Sequence, residues 1–276
     1  MVDLGSLTGI VERSFDGLED SRRRQLLKEL VRTIHDFVVR NNISHAEWRQ
    51  SIEFLHRVGD ISNASRSEFS LLSDVLGISS LVDLIGAPPG ATPSSVLGPF
   101  HSADSPWRDN PVDLVKQNTG EVVILEGVVK TLSGSPIADA TIDFWQNADN
   151  GLYWQVDPSQ PADNLRCKLK VGKDGHFLIR TIRPKPYCIP TDGPVWKELV
   201  EPARRSAWRP GHFHVIVSAP GYQTIVTEIF SHDDPYLATD AVFGVREGLL
   251  GRYEAVDGEA PRMRFDFELA RGAEES

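Results

Sequence analysis

Two histidines separated by one residue form the part of the sequence best suited to metal chemistry. They are His212 and His214, in the segment WRPGHFHVIV at positions 208–217. The β-branched residues that follow favour a strand, and alternate side chains of a strand point to the same face. The two rings could therefore bind one metal ion, or each could form ordinary hydrogen bonds within a sheet. Their spacing does not choose the metal.

Two tyrosines stand in segments that interrupt the strand pattern. Tyr153 lies in the segment NGLYW, shortly after a predicted strand that ends at Trp145. Tyr187 lies in RPKPYCIP, whose prolines exclude a central strand. A tyrosine in such a position usually packs its ring and hydrogen-bonds its hydroxyl. By themselves, the two tyrosines therefore do not identify metal ligands.

The elements that must position these residues change character near residue 100. Before that point the chain reads as helical: in the segment 21–40 the apolar residues recur at helical spacing, and the breaker-rich stretch APPGATPSS closes the region. Short strands separated by turns follow, and strands without intervening helices favour a β-sandwich. The predicted strands are 122–129, 141–145, 167–171, 177–181, 212–218, 224–230 and 263–269. We expect a mainly β protein, with a helical region at 1–97 and an antiparallel β-sandwich domain at 98–276.

Charge and composition exclude several classes of function. The chain has 276 residues and a formal net charge of −10. Phosphate binding needs concentrated Lys and Arg, so this charge argues against a nucleic-acid partner. No apolar run is long enough for a signal peptide or a membrane span, and Cys167 and Cys188 are too few for a disulfide framework. We expect a cytoplasmic protein without membrane insertion.

Four stretches of the chain resemble the intradiol ring-cleavage dioxygenases, a family that includes the catechol, chlorocatechol and hydroxyquinol 1,2-dioxygenases. In order, they are IDFWQNADNGLYWQVDP, IRPKPYCIPTDGP, WRPGHFHVIVSAPGY and DDPYLATDAVFGV. The helical region is similar to the linker domain of that family, so the resemblance covers nearly the whole chain. It implies a linker and dimerisation domain at 1–97 and a catalytic, iron-binding domain at 98–276.

The resemblance implies one iron(III) ion per subunit, with Tyr153, Tyr187, His212 and His214 as ligands. Phenolate oxygen suits a hard, highly charged cation, which lowers the pKa of a phenol from about 10 so that the ligand binds deprotonated. In the family, the residue corresponding to Tyr187 also accepts a substrate proton. The resemblance places Arg209 as the residue that stabilises the anionic ring, although an arginine before a proline could simply face solvent.

The segment DAVFGV at 240–245 resembles the hydroxyquinol branch more than the catechol or chlorocatechol branches. Asp83 could accept a hydrogen bond from an extra ring hydroxyl, or it could face solvent on a short helix. Glu228 stands where catechol-cleaving relatives often carry glutamine. It could contact a third hydroxyl or assist a proton transfer, or it could be a peripheral residue satisfied by Arg209. The pocket that the resemblance implies comprises Asp83, Leu97, Gly98, Pro99, Phe100, Ile189, Pro190, Glu228 and Val242.

The expected substrates are an aromatic diol or triol and dioxygen. Hydroxyquinol (benzene-1,2,4-triol) is the expected triol, cleaved to 3-hydroxy-cis,cis-muconate, which is also drawn as maleylacetate. Catechol and chlorocatechol stay as alternatives. The resemblance also implies a homodimer that pairs through the N-terminal helices, with a phospholipid at the interface in many relatives.

Two further classes remain open. One is a non-catalytic β-sandwich module that holds zinc at His212 and His214. The other is an extradiol enzyme that uses iron(II), with Asp240 or Glu228 as the carboxylate ligand. Neither class gives the two tyrosines a role.

Overall fold

The chain divides into two units, the first at residues 1–57 and the second at residues 58–276. Three helices make up most of the first unit. The computed structural model describes residues 2–63 and 66–272. The helices are α1 (Leu7–Ser14), α2 (Ser21–Arg40) and α3 (His45–Ile61), the last of which extends past residue 57. Asp20 caps α2 by accepting a hydrogen bond from the backbone N–H of Arg23. The apolar stripe predicted for α2 is exposed along Leu26, Leu30, Ile34, Phe37 and Val38.

The second unit begins with the end of α3 and continues with two short helices, α4 (Glu68–Val75) and α5 (Ile78–Gly86). Gly77 separates them with a backbone φ of 72°, a left-handed conformation that glycine adopts without steric cost. Within residues 2–63 and 66–272 no single helix is long and apolar enough to cross a membrane, although the bent pair α4–α5 meets a test of length and composition when taken together.

Thirteen strands follow these helices in the part of the chain that the structure describes. They are β1 (Val112–Asp113), β2 (Val122–Thr131), β3 (Thr141–Trp145), β4 (Arg166–Lys170), β5 (His176–Ile182), β6 (Tyr187–Cys188), β7 (Trp208–Arg209), β8 (His212–Ser218), β9 (Ile225–Ser231), β10 (Leu250–Gly251), β11 (Tyr253–Glu254), β12 (Arg262–Arg264) and β13 (Phe267–Leu269). The predicted strands correspond to β2, β3, β4, β5, β8 and β9, and the one predicted at 263–269 is divided between β12 and β13.

The strands form two main sheets and one small pair. The larger sheet has the order β1-β5-β2-β12-β11, with β13 also pairing with β2; the smaller has the order β10-β9-β8-β3-β4, and β6 pairs with β7. The long neighbours pair antiparallel. The short strands β1, β10, β12 and β13 add to them in parallel, so both main sheets are mixed. The mainly β prediction is confirmed.

Both main sheets contribute to one hydrophobic core. Phe213, Val215 and Val217 of β8 belong to it together with Val123 and Leu125 of β2. Because side chains alternate along a strand, His212 and His214 project from the opposite, outer face of the smaller sheet. The register places His214 beside Trp145 of β3 on one side and Glu228 of β9 on the other. This outer face carries the polar residues of the candidate site.

Candidate metal centre

Four rings converge over the outer face of the smaller sheet. His212 and His214 come from β8, Tyr187 from β6, and Tyr153 from the loop after β3. The ring centroids are 4.5 Å apart for the two histidines, 5.7 Å for Tyr187 and His212, 5.7 Å for the two tyrosines, and 6.1 Å for Tyr153 and His214. The structure therefore brings together the four residues that the sequence analysis singled out.

The two histidines direct nitrogen atoms at each other. Nδ1 of His212 lies 2.7 Å from the carbonyl oxygen of Pro210, and because a carbonyl only accepts, this contact places the proton on Nδ1. Nε2 of His212 is then 3.1 Å from Nε2 of His214. Burial and the charge of Arg209 lower the pKa of His212, and burial and His212 lower the pKa of His214 well below its usual value. Both rings are thus held neutral, the form that binds a metal.

His214 is held in place by packing. The indole of Trp145 stacks on its ring with centroids 4.8 Å apart and planes inclined by 5°. Gly98 lies so close that a Cβ there would be 3.1 Å from Cε1 of His214. Nδ1 of His214 has no hydrogen-bond partner among residues 2–63 and 66–272. A hydrogen bond therefore orients His212, whereas ring stacking orients His214.

The two tyrosines differ in burial, and Tyr187 is only half-buried. Tyr153 is buried, its ring stacks on Phe100 at 4.3 Å, and its hydroxyl lacks a hydrogen-bond partner in the described part of the chain. Burial and the neighbouring Tyr187 raise the pKa of Tyr153 well above 10. Burial also raises the pKa of Tyr187, against the opposing charge of Arg209. An unpartnered buried hydroxyl is costly, and a cation bound to its oxygen would remove that cost.

The donor atoms fit a hard trivalent cation. Two phenol oxygens and two neutral imidazole nitrogens form the ligand set for which iron(III) is well suited, because phenolate is a hard, anionic donor. Of these four, only the histidines would be expected in a generic zinc site.

A buried group of three charges lies beside the histidines. Nη1 and Nη2 of Arg209 donate to Oε1 and Oε2 of Glu228 at 2.8 and 3.0 Å, and Nε donates to Oδ1 of Asp240 at 3.0 Å. Burial would lower the pKa of Arg209, but Asp240 and Glu228 outweigh it and hold that pKa well above its usual value. Burial would raise the pKa of Glu228, and the charge of Arg209 outweighs that effect. Arg209 and Glu228 therefore stay ionised at neutral pH.

Glu228 also approaches the histidines. Its Oε1 lies 3.3 Å from Nε2 of His212 and 3.5 Å from Nδ1 of His214. His212, His214 and Glu228 consequently form a group whose ligand atoms lie within 4.8 Å of one another. Because both carboxylate oxygens already accept hydrogen bonds from Arg209, Glu228 is engaged by a fixed cation, unlike the hydroxyl of Tyr153.

The other residues of the predicted pocket lie in different environments. Gly98 and Phe100 contact His214 and Tyr153 as described, and the side chains of Ile189 and Val242 are buried. Asp83 is half-buried, its Oδ2 has no hydrogen-bond partner among the described residues, and burial raises its pKa against the charge of Arg246. The side chains that remain exposed are those of Leu97, Pro99 and Pro190.

The sequence analysis missed two residues that lie near the site. Burial raises the pKa of Asp74 on α4, and this carboxylate feels the charges of Arg209, Glu228 and Asp240. Trp145 stacks on His214. No sequence signal identifies Asp74, because its proximity depends on how α4 packs. Strand alternation predicts the face on which Trp145 lies, but only the pairing of β3 with β8 brings it to the histidine.

Comparison with known proteins identifies two family models along the chain. Residues 96–271 match the model described as dioxygenase, and residues 20–91 match the model described as catechol dioxygenase N terminus. The chain is 42% identical over 242 residues to the hydroxyquinol 1,2-dioxygenase of a Rhizobium species, covering 87% of this chain and 82% of that protein. It is 39% identical over 269 residues to the 6-chlorohydroxyquinol 1,2-dioxygenase of Cupriavidus pinatubonensis, covering 97% of both.

Solved structures show the same fold. Hydroxyquinol 1,2-dioxygenase from Pseudomonas putida superposes with a TM-score of 0.88 at 37% identity, covering 98% of this chain and 99% of that chain. Catechol 1,2-dioxygenase from Pseudomonas arvilla superposes with a TM-score of 0.83 at 25% identity, covering 100% of this chain and 94% of that chain. The similarity thus extends over both the helical and the β regions.

Proposed function

Since this chain belongs to the intradiol ring-cleavage dioxygenase family, we propose that it uses non-haem iron(III) and dioxygen to cleave hydroxyquinol between the carbons that carry its 1- and 2-hydroxyl groups. The product is 3-hydroxy-cis,cis-muconate, also drawn as maleylacetate. Both atoms of dioxygen enter the product, so the reaction needs no external reductant. The observation that carries this proposal is the cluster formed by the rings of the buried Tyr153, the half-buried Tyr187 and two neutral histidines.

We assign the ligands of one iron(III) ion per subunit to Tyr153, Tyr187, His212 and His214. When bound, iron(III) would supply a Lewis-acid centre that binds the diol and makes its ring reactive toward dioxygen. The unpartnered hydroxyl of Tyr153 and the facing Nε2 atoms of the histidines support this assignment. The group formed by the histidines with Glu228 would suit iron(II) in an extradiol enzyme, but the bidentate contact of Glu228 with Arg209 favours the tyrosine set.

Tyr187 and Arg209 have the roles of proton acceptor and charge stabiliser. Burial raises the pKa of Tyr187 against the charge of Arg209. If Tyr187 is bound to iron(III) as a phenolate, its Oη can therefore take a proton from a substrate hydroxyl. The same guanidinium is buried and fixed between two carboxylates. It can therefore stabilise negative charge on the substrate without reorienting during the reaction.

Hydroxyquinol is the substrate that the relatives and the pocket support best. Two relatives with substantial identity are named for hydroxyquinol or its 6-chloro derivative. Asp74 and Asp83 add carboxylates to the neighbourhood of Glu228. Oδ2 of Asp83 has no hydrogen-bond partner among the described residues, and this favours a ring that brings an extra hydroxyl, because that hydroxyl can donate a hydrogen bond where catechol has none.

The N-terminal helices have the surface expected for self-association. Apolar side chains of α2 are exposed in the single chain, including Leu30 and Phe37 at 53% and 52% of their full exposure. We therefore propose a homodimer that pairs through this region, with a phospholipid at the interface. Sedimentation of the full chain, followed by lipid extraction and mass spectrometry, tests both parts separately.

The visible spectrum tests the proposed reaction. We expect the iron(III)-loaded protein to show a broad tyrosinate-to-iron band that shifts when hydroxyquinol is added without air. On admission of air, the band should recover as equimolar hydroxyquinol and dioxygen are consumed. Tyr153→Phe is the matched variant, since it removes one phenol oxygen and should change the band.

Three other outcomes would revise the proposal in different ways. A shift and oxygen uptake with catechol but not hydroxyquinol would keep the reaction class and reject the substrate. A protein that stays colourless with iron(III) would reject the tyrosine ligands. If that colourless protein bound zinc and turned over no diol, it would be a non-catalytic module.

A further inference from the structure

Asp240 joins the charged group of the site to the backbone of the turn that follows it. Its Oδ1 accepts from Nε of Arg209 at 3.0 Å and from the backbone N–H of Val242 at 3.4 Å. Its Oδ2 accepts from the backbone N–H of Gly244 at 2.8 Å and lies 3.4 Å from Nη2 of Arg209. The side chain is almost completely buried. Each carboxylate oxygen thus contacts both the guanidinium and the turn.

The turn formed by residues 240–244 is also fixed from its other end. The hydroxyl of Ser95 lies 2.8 Å from the carbonyl oxygen of Gly244 and 2.7 Å from Oε2 of Glu228. Between these anchors, Phe243 adopts a φ of 57°, a conformation that a bulky residue holds only when its surroundings impose it. Glu228 and Asp240 therefore each connect Arg209 to the same turn, one through Ser95 and one directly.

We propose that Asp240 is a positioning residue that couples the orientation of Arg209 to the conformation of turn 240–244, so that one carboxylate influences both turnover and the choice between diols. This inference rests on the proposed function. Arg209 presents one edge of its guanidinium to Glu228 and another to Asp240, and two carboxylates on two edges of a planar group define its orientation. The turn carries Val242, whose side chain is buried.

Loss of either oxygen of Asp240 should break this coupling. An asparagine has one acceptor oxygen and one amide that only donates, so it cannot accept at both positions. Either Arg209 loses a partner, or the N–H of Gly244 does. In the first case the guanidinium would follow Glu228 alone, and in the second the turn would relax away from it.

The test measures kcat and KM of the iron-loaded full chain, as wild type and as Asp240→Asn, with hydroxyquinol and with catechol. We expect kcat to fall roughly tenfold to a hundredfold, since small misplacements of a group near the reacting ring have effects of that size. We also expect the ratio of kcat/KM for hydroxyquinol to that for catechol to change severalfold. The tyrosinate band of the enzyme without substrate should stay in place, because Asp240 is not among the assigned ligands.

Asp113→Asn is the matched control. Asp113 also accepts from a backbone N–H, that of Val115 at 2.9 Å, and from an arginine, Nη1 of Arg180 at 2.7 Å, but it belongs to β1 of the larger sheet. Its substitution should leave both kcat and the diol ratio unchanged.

Two outcomes would overturn the inference. One is a folded Asp240→Asn enzyme with an unchanged diol ratio. The other is a variant whose only change is a lower Tm. If Asp240→Asn does not fold, Asp240→Glu decides, since its displaced carboxylate should still change the ratio, and an unchanged ratio would reject the coupling. A wild type that cleaves neither diol would instead refute the proposed function.

Discussion

The indole of Trp145 lies flat against the imidazole of His214, with ring centroids 4.8 Å apart and planes inclined by 5°. The ring of His101 also packs on the indole, with centroids 4.8 Å apart and planes inclined by 58°, and Nε2 of His101 lies 3.1 Å from Oδ2 of the buried Asp143. The indole therefore contacts one histidine that a hydrogen bond holds in place. The other histidine, His214, has an Nδ1 without such a partner in the described residues.

Removal of the indole should loosen His214 and weaken metal binding. We expect Trp145→Leu to reduce the affinity for iron(III) about tenfold, in line with the effect of losing a group that orients a metal ligand. Competition with a chelator measures this affinity. Phe144→Leu is the control, because Phe144 is adjacent but faces the core. It should lower the free energy of unfolding without changing iron affinity, and equal affinity in the two variants would contradict the positioning role.

The contact of Gly98 with His214 leads to a second prediction. Gly98 has a φ of +69°, and a Cβ there would lie 3.1 Å from Cε1 of His214. Gly90 has a φ of +79°, and no atom of the described residues lies within 4 Å of its added Cβ. Alanine at either position should cost about 1 kcal/mol of stability from the left-handed backbone. Only Gly98→Ala should also weaken iron binding and shift the visible band.

A comparison of unfolding curves and spectra of the two alanine variants checks this expectation. If both variants keep the wild-type spectrum and iron affinity, the imidazole of His214 is free to move away from position 98, and the close packing has no part in positioning it.

Sequence patterns predicted the secondary structure and the histidine pair better than the rest of the site. Alternation along a strand is a local property, so it placed His212 and His214 on one face, and the structure brings their rings to 4.5 Å. The tyrosines come from irregular segments, and no local period relates them to β8. Only the resemblance to a family selected Tyr153 and Tyr187.

Local sequence patterns do not predict the charged group formed by Arg209, Glu228 and Asp240. Glu228 of β9 lies beside His214 because β8 pairs with β9 in one register, and Arg209 of β7 links Glu228 to Asp240 through hydrogen bonds. A shift of that register by one residue would move Glu228 to the opposite face of the sheet. Such a register depends on the whole sheet, and a single sequence does not reveal it.

Iron binding should release protons from the two tyrosines. Burial raises the pKa of Tyr153 and of Tyr187, so both phenols are protonated at neutral pH in the metal-free protein. Burial lowers the pKa values of His212 and His214, so both rings are neutral at the same pH. Metal binding therefore releases no proton from the histidines. Binding as two phenolates therefore releases two protons, and iron affinity should increase with pH.

A pH indicator in weakly buffered solution measures these protons when a defined iron(III) chelate is added. Tyr153→Phe should release about one proton fewer than the wild type. Subtracting the proton release of the variant from that of the wild type removes the contribution of the chelate itself. Equal release from both would mean that Tyr153 does not bind iron as a phenolate.

Asp74 and Asp83 make separate predictions about the choice of substrate. Asp74 feels the charges of Arg209, Glu228 and Asp240, whereas the largest charge effect on Asp83 comes from Arg246. We therefore expect Asp74 to lie closer to the reacting ring. Asp74→Asn should reduce the preference for hydroxyquinol over catechol about tenfold, the size expected when one charged hydrogen bond to a substrate hydroxyl is lost.

Asp83→Asn is both the matched comparison and the test of the sequence-based assignment. The two substitutions are chemically identical and lie on neighbouring helices. The general effect of removing a carboxylate is therefore the same in both variants, and a difference between their ratios of kcat/KM for the two diols reports the specific role of each residue. A larger loss of preference in Asp83→Asn would support Asp83 as the residue that recognises the third hydroxyl. Unchanged preference in both variants would leave Glu228 as the carboxylate that selects the triol, because its side chain is fully buried next to the histidines.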